Sequence, residues 1–102
     1  MTNPLTAGLR PVHPGELLRE DVLPAFGRPK AEIARLLGIS RQQLYDILEE
    51  RKPVTMNTAL RLGKLCGDGP DIWLRMQMAY DKAQVMPELA PIIEKIPTLE
   101  AA

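Results

Sequence analysis

The sequence predicts an all-α fold of five short helices, and three observations carry that prediction. Apolar residues make up 45% of the 102 positions but aromatic residues only 4%, so Leu, Ile, Ala and Met must build the core. β-Branched residues are scattered, and no run alternates apolar and polar side chains for long, so strand signals are nearly absent. Between the glycines and prolines, apolar residues return at helical spacing instead. The length suits one domain, with little room for a second core.

Residues 1–12 hold Pro4, Gly8 and Pro11 without periodicity and read as an N-terminal arm. Helix one begins at HPGELLREDVL, with Pro14 where a helix tolerates proline best and Glu16 in a first turn that favours negative charge. Leu17, Leu18 and Val22 form its apolar face; Pro24 is expected to end it, and Gly27 with Pro29 to make the connection. Helix two runs from about Lys30 to Leu37, with Ile33, Ala34 and Leu37 on one side and Gly38 closing it. Ser40 caps helix three, which turns Leu44, Ile47 and Leu48 inward. Thr55 caps helix four, TMNTALRLGKLCG, which stops at Gly67. Gly69-Pro70 opens helix five, PDIWLRMQMAYDKAQ. The domain is thus expected over 13–84, and 85–102 form a tail whose three prolines forbid a long helix but leave short docking pieces around Ile92, Ile93, Ile96 and Leu99.

The bulk numbers exclude several classes of protein. No apolar run can span a bilayer, and the opening MTNPLTAGLRP lacks the layout of a secretory signal. Cys66 is the only cysteine, so no internal disulfide exists and a reducing cytoplasm is expected. Net charge is zero, with the middle faintly positive and the tail acidic; any affinity for DNA must come from placed contacts rather than bulk field. His13, the only histidine, either caps helix one or is exposed, and with Cys66 as the one other soft ligand no metal site is expected. Ser40, the only serine, stands in a turn with no nucleophile elbow, so no catalytic triad and no cofactor are expected.

The stretch KAEIARLLGISRQQLYDILEE carries the function. A helix-turn-helix needs a small residue where its helices touch, a glycine in the turn, and apolar side chains locking the second helix onto the first. Ala34, Gly38 and the set Ile33, Leu37, Ile39, Leu44 and Ile47 meet those needs at compatible spacing. The second helix then stands proud of the body, able to enter a major groove with Arg41, Gln42 and Gln43 leading and Tyr45 one turn on. Amides near Lys30 and Ser40 are expected to hold phosphates, and Arg51 and Lys52 to meet the flanking backbone. Asp46, on the same helix, either accepts from cytosine or repels phosphate. In helix five, Ile72, Trp73, Met76 and Tyr80 offer more apolar surface than a small monomer easily hides, which points to a dimer seam, with an internal core as the alternative.

The frame resembles the Cro/repressor-type helix-turn-helix of bacterial and phage regulators. VHPGE ahead of it, and TALRL and WLRMQMAYD behind it, make residues 12–82 similar to the HigA antitoxin family. The resemblance implies a dimer that represses its own palindromic operator and pairs with a HigB-like toxin, a ribosome-associated ribonuclease. The chain departs from the family pattern at Pro29, where Ser or Thr commonly caps helix two, at Lys30, commonly Gln, and at Glu49-Glu50, often Asn-Gly. Two carboxylates at that turn are expected to weaken or redirect its contact with DNA. That departure supports a second reading, a toxin-covering module with weak DNA binding; a third is a stand-alone phage-type regulator with no toxin partner.

Overall fold

The computed structural model describes residues 10–101, so most of the expected arm lies outside the described residues. Among them are five helices and no strand. Helix α1 covers residues 14–26 in three segments, Pro14–Leu17, a π-helical turn Leu18–Val22, and Leu23–Phe26. The others are α2 (Lys30–Leu37), α3 (Arg41–Leu48), α4 (Met56–Cys66) and α5 (Asp71–Glu94).

The end of α1 departs from the sequence expectation. Pro24 does not stop the helix, which continues to Phe26 and closes on Gly27. In an α-helix the proline ring would strike the carbonyl one turn back, where its own N–H is missing. The wide turn just before it, marked by the Leu23 N–H reaching back five residues to the Leu18 carbonyl, moves that carbonyl aside.

Local chemistry sets the other boundaries. Gly38 ends α2 at φ 72°, a left-handed conformation that a side chain resists, and its N–H bonds the last turn of α2. Ser40 and Thr55 cap α3 and α4 through their hydroxyls. Ala34 lies fully buried between α2 and α3, the close approach expected of it. The core joins Leu18 and Leu23 of α1 to Ile33 and Leu37 of α2, Leu44, Ile47 and Leu48 of α3, Leu62 of α4 and Trp73 of α5. Each such aliphatic side chain taken from water contributes roughly 1.5–3 kcal/mol. Cys66 packs half-buried against this core, and burial pushes its thiol up from the ordinary value.

The C-terminal part of the chain departs furthest from expectation. Helix α5 passes through Pro87 and Pro91 without breaking. The two prolines stand four residues apart, so the carbonyls they orphan, those of Ala83 and Pro87, share one exposed side of the helix. Water can satisfy both groups there while the rest of the ladder persists. Only residues from 95 onward are irregular.

Gln77 is the last buried residue of α5, and the remainder projects from the body. The Cα radius of gyration is 17.0 Å, against the ~13 Å expected for a compact domain of this size. Met78, Val85, Leu89 and Ile92 are all exposed on α5, and helical spacing puts them on one side, away from Trp73 and Gln77, with Ile96 exposed just beyond the helix end.

Candidate nucleic-acid interface

The recognition helix α3 is held from behind by three other elements. Gly15 of α1 lies so close to α3 that a Cβ there would stand 1.8 Å from the Ile47 carbonyl oxygen. Arg19 reaches from α1 to the C-terminal end of α3, donating from Nη1 to the Leu48 carbonyl and to Glu50 Oε2 at 3.4 Å. Arg61 of α4 donates to the Leu37 carbonyl at 2.8 Å, closing the C-terminus of α2 just ahead of the turn. Gln77 of α5 accepts from the Val54 N–H at 2.7 Å and donates to Asp81 at 2.9 Å, tying down the chain that leaves α3.

His13 completes this support. It is buried, its Nδ1 accepts from the Gly15 N–H at 2.9 Å, and its ring meets Tyr80 edge-on with centroids 5.0 Å apart. Burial holds its pKa below 6.5, while Glu50, a backbone hydrogen bond with Lys52, and Asp81 pull the other way. The unfolded chain therefore takes up the proton first as acid is added. Stability is complete above about pH 6.5 and is lost as pH falls from there through the folded value. Urea midpoints measured from roughly pH 8 to 5 should show that decline, and His13→Asn, which keeps a helix-capping side chain, should flatten it.

On the outward side, Arg41, Gln42, Gln43 and Tyr45 are all exposed, as the sequence suggested. Their side chains are not equally free. Ser40 and Gln43 form a reciprocal capping box: Gln43 N–H donates to Ser40 Oγ at 3.0 Å, and Ser40 N–H donates to Gln43 Oε1 at 2.9 Å. The Ser40 amide expected to hold a phosphate is thus already bonded, and the Arg41 and Gln42 amides are the ones that face outward at this helix start. Gln43 has its carbonyl oxygen engaged and its NH₂ left to donate. Gln42 is the reverse, with Nε2 donating to Asp46 Oδ1 at 2.9 Å. The pair therefore offers two different hydrogen-bonding edges from neighbouring positions.

The acidic residues near this surface are drawn into ion pairs with two shared arginines. Asp46 accepts from Arg51 Nη2 at 2.9 Å and Nε at 3.2 Å, and Glu49 accepts from Arg51 Nη1. Glu50 turns back towards Arg19. The hydrogen bonds from Gln42 and then Arg51 hold the Asp46 carboxyl below its usual range. Glu49-Glu50 thus stands in for Asn-Gly in backbone shape, since Glu50 adopts φ 63°, and its charges are directed into ion pairs. Arg51, expected to meet the DNA backbone, is committed to those carboxylates. Arg41, Lys30 and Lys52 have no ion-pair partner among the described residues, and Lys30 Nζ lies 5.8 Å above the Tyr45 ring.

The four residues expected at a dimer seam, or in an internal core, are unequally exposed. Trp73 is 1% exposed and belongs to the monomer core, its Nε1 donating to Asp68 at 3.4 Å. Tyr80 packs on His13, and Met76 is half-buried, leaving Ile72 alone of the four exposed. The indole joins the core near the start of α5, the helix that packs against α4 and α1. Further exposed apolar residues of α5 include Met78, Val85, Leu89, Ile92 and Ile93.

No family model matches the chain. It is similar to virulence-associated protein I of Dichelobacter nodosus, at 40% identity over 70 residues, 69% of this chain and 65% of that protein. The chain therefore spans just under two thirds of the length of that relative. Among solved structures, an addiction module antidote protein of the HigA family from Coxiella burnetii superposes with a TM-score of 0.78 at 35% identity, covering 90% of this chain and 100% of that one.

The chain belongs to the HigA antitoxin family.

The antitoxin GraA, in a structure of its complex with its operator, superposes on this HigA-family chain with a TM-score of 0.80 at 35% identity over 99% of both chains. One of these relatives is thus an addiction module antidote protein and the other an antitoxin held on its operator. No helix among the described residues is long and apolar enough to cross a membrane.

Proposed function

We propose that this chain is the antitoxin and autorepressor of a type II toxin–antitoxin pair, acting in the cytoplasm. It binds a palindromic operator as a homodimer, and each protomer inserts α3 into a major groove. The observation that carries this reading is the outer surface of α3: one unpaired arginine and two oriented glutamine amides on a helix braced from behind, with the nearby carboxylates held in ion pairs by Arg51 and Arg19. The operator-bound relative of the same fold supports it. Two-fold symmetry sets the recognition helices about 34 Å apart, on successive grooves of one DNA face.

The test is a fluorescence-anisotropy titration with duplexes from the region upstream of the gene. Arg41→Ala should weaken operator binding by roughly tenfold to a hundredfold, the loss of a paired contact worth about 1–3 kcal/mol. Lys30→Ala should weaken binding to all duplexes alike and flatten the salt dependence. Unchanged operator affinity in Arg41→Ala would rule out the reading surface assigned here.

Neutralisation of a HigB-like ribonuclease is the second half of the proposal. Co-expression with the protein encoded next to this chain should give a complex that co-purifies and loses ribonuclease activity. A neighbouring frame that encodes no small basic ribonuclease would favour a stand-alone regulator. Capture of the toxin without any operator binding would favour a pure toxin cover.

A further inference from the structure

Asp46 sits in the middle of α3, on its groove-facing side, where a negative charge should repel a phosphate. Its geometry gives it another task. All three hydrogen bonds to its side chain converge on one oxygen, Oδ1, from Gln42 Nε2 at 2.9 Å, Arg51 Nη2 at 2.9 Å and Arg51 Nε at 3.2 Å. The Asp46 backbone carbonyl also accepts from the Arg51 and Lys52 N–H groups, at 2.8 and 3.1 Å, which fixes Arg51 in reach. A carboxylate only accepts, so the amide of Gln42 has one possible orientation: its NH₂ must face Asp46. One N–H is then held, and the oxygen Oε1 with the remaining N–H is left for the groove. Adenine offers a donor at N6 and an acceptor at N7, which match that edge. Guanine offers acceptors at both O6 and N7, so it would meet an acceptor with an acceptor.

We propose that Asp46 is a positioning residue for sequence specificity, locking Gln42 in the amide orientation that selects adenine over guanine, while Arg51 cancels the carboxylate charge that the arrangement introduces. The inference rests on the proposed reading of DNA by α3. It separates two tasks within one helix turn: Gln42 touches the base, and Asp46 decides which base it accepts. Without Asp46, Gln42 is free to turn its NH₂ outward and donate to guanine.

The experiment uses the full-length chain. The wild-type protein first selects its preferred duplex from a randomised pool, and every A·T pair in that duplex is then changed singly to G·C. Wild type should discriminate strongly at one such pair in each half-site, and Gln42→Ala should abolish that preference. Asp46→Ala should reduce the same preference about tenfold or more, while its affinity for unrelated duplex stays equal or rises because Arg51 is released. Adding Asp46→Ala to Gln42→Ala should change the preference no further, the mark of action through one side chain. Alanine is a better helix former than aspartate and the position is partly exposed, so the variant should fold; a urea midpoint close to wild type checks this.

Full retention of the preference in Asp46→Ala, when Gln42→Ala has lost it, overturns the positioning role. Retention in Gln42→Ala shows that Gln42 does not read the base, which also overturns it while leaving operator binding intact. Failure of the wild type to select any duplex would instead strike the DNA-binding proposal on which the inference stands.

Discussion

Gly15→Ala should destabilise the fold by about 3 kcal/mol, the upper end of what overpacking a core costs. The methyl group would lie 1.8 Å from the Ile47 carbonyl oxygen and 2.8 Å from its carbon. Neither atom belongs to a flexible side chain, so relief requires α1 and α3 to separate. His13 would be disturbed as well, because its Nδ1 is 3.0 Å from the same position and caps the same turn. The urea midpoint should fall sharply, and any folded fraction should bind operator weakly because Ile47 lies on the helix that reads it. A midpoint within experimental error of wild type would show that α1 does not press on α3 as described.

Placing aspartates at Leu89 and Ile92 should have the largest effect on DNA binding of any change far from the DNA. Both side chains are exposed on the projecting part of α5, at 39% and 56%, and share one side of it with Val85. If the proposed homodimer forms through this side of α5, burying two carboxylates from each protomer there would be prohibitively costly. The double variant should run as a monomer in size-exclusion chromatography with light scattering. Each half-site would then be bound alone, and operator affinity should fall by roughly 10²–10⁴, the usual contribution of linked binding. The monomer should stay folded, since the buried residues of α5 end at Gln77. A wild-type mass already equal to one chain, or a double variant that remains a dimer, would move the dimer contact elsewhere.

What could be read in advance was local. The Ala34–Gly38 junction, the Ser40 and Thr55 caps and the inward faces of α2 and α3 each depend on residues within a turn or two of one another. The capping box is equally legible, because Ser40-x-x-Gln43 is its signature, although a glutamine at that position also suits base readout. The bracing of α3 was hidden by distance along the chain. Arg19 meets the Leu48 carbonyl 29 residues away, and Gln77 meets the Val54 amide 23 residues away, with no pattern to announce either.

The prolines misled for a physical reason. A rule about proline in helix interiors presumes that the orphaned carbonyl is costly, whereas on α5 it faces water. At Pro24 the compensation lay in the preceding wide turn, which composition does not reveal. Trp73 was ambiguous because one tryptophan can fill a core or a seam, and only the packing of α5 against α4 and α1 decides between them.

The ion-paired carboxylates around α3 have a consequence for how such a repressor would be distributed in a cell. A strongly cationic regulator clings to any stretch of chromosome, and most of its copies are parked on irrelevant sequence. This chain is electrically neutral overall, with Glu49 and Glu50 drawing on Arg51 and Arg19, so its grip on arbitrary duplex should be slight. Nearly all copies would then remain in the freely diffusing pool, with no genomic reservoir to buffer a shortage. Occupancy of the promoter would track copy number closely, and transcription would restart soon after the supply dropped.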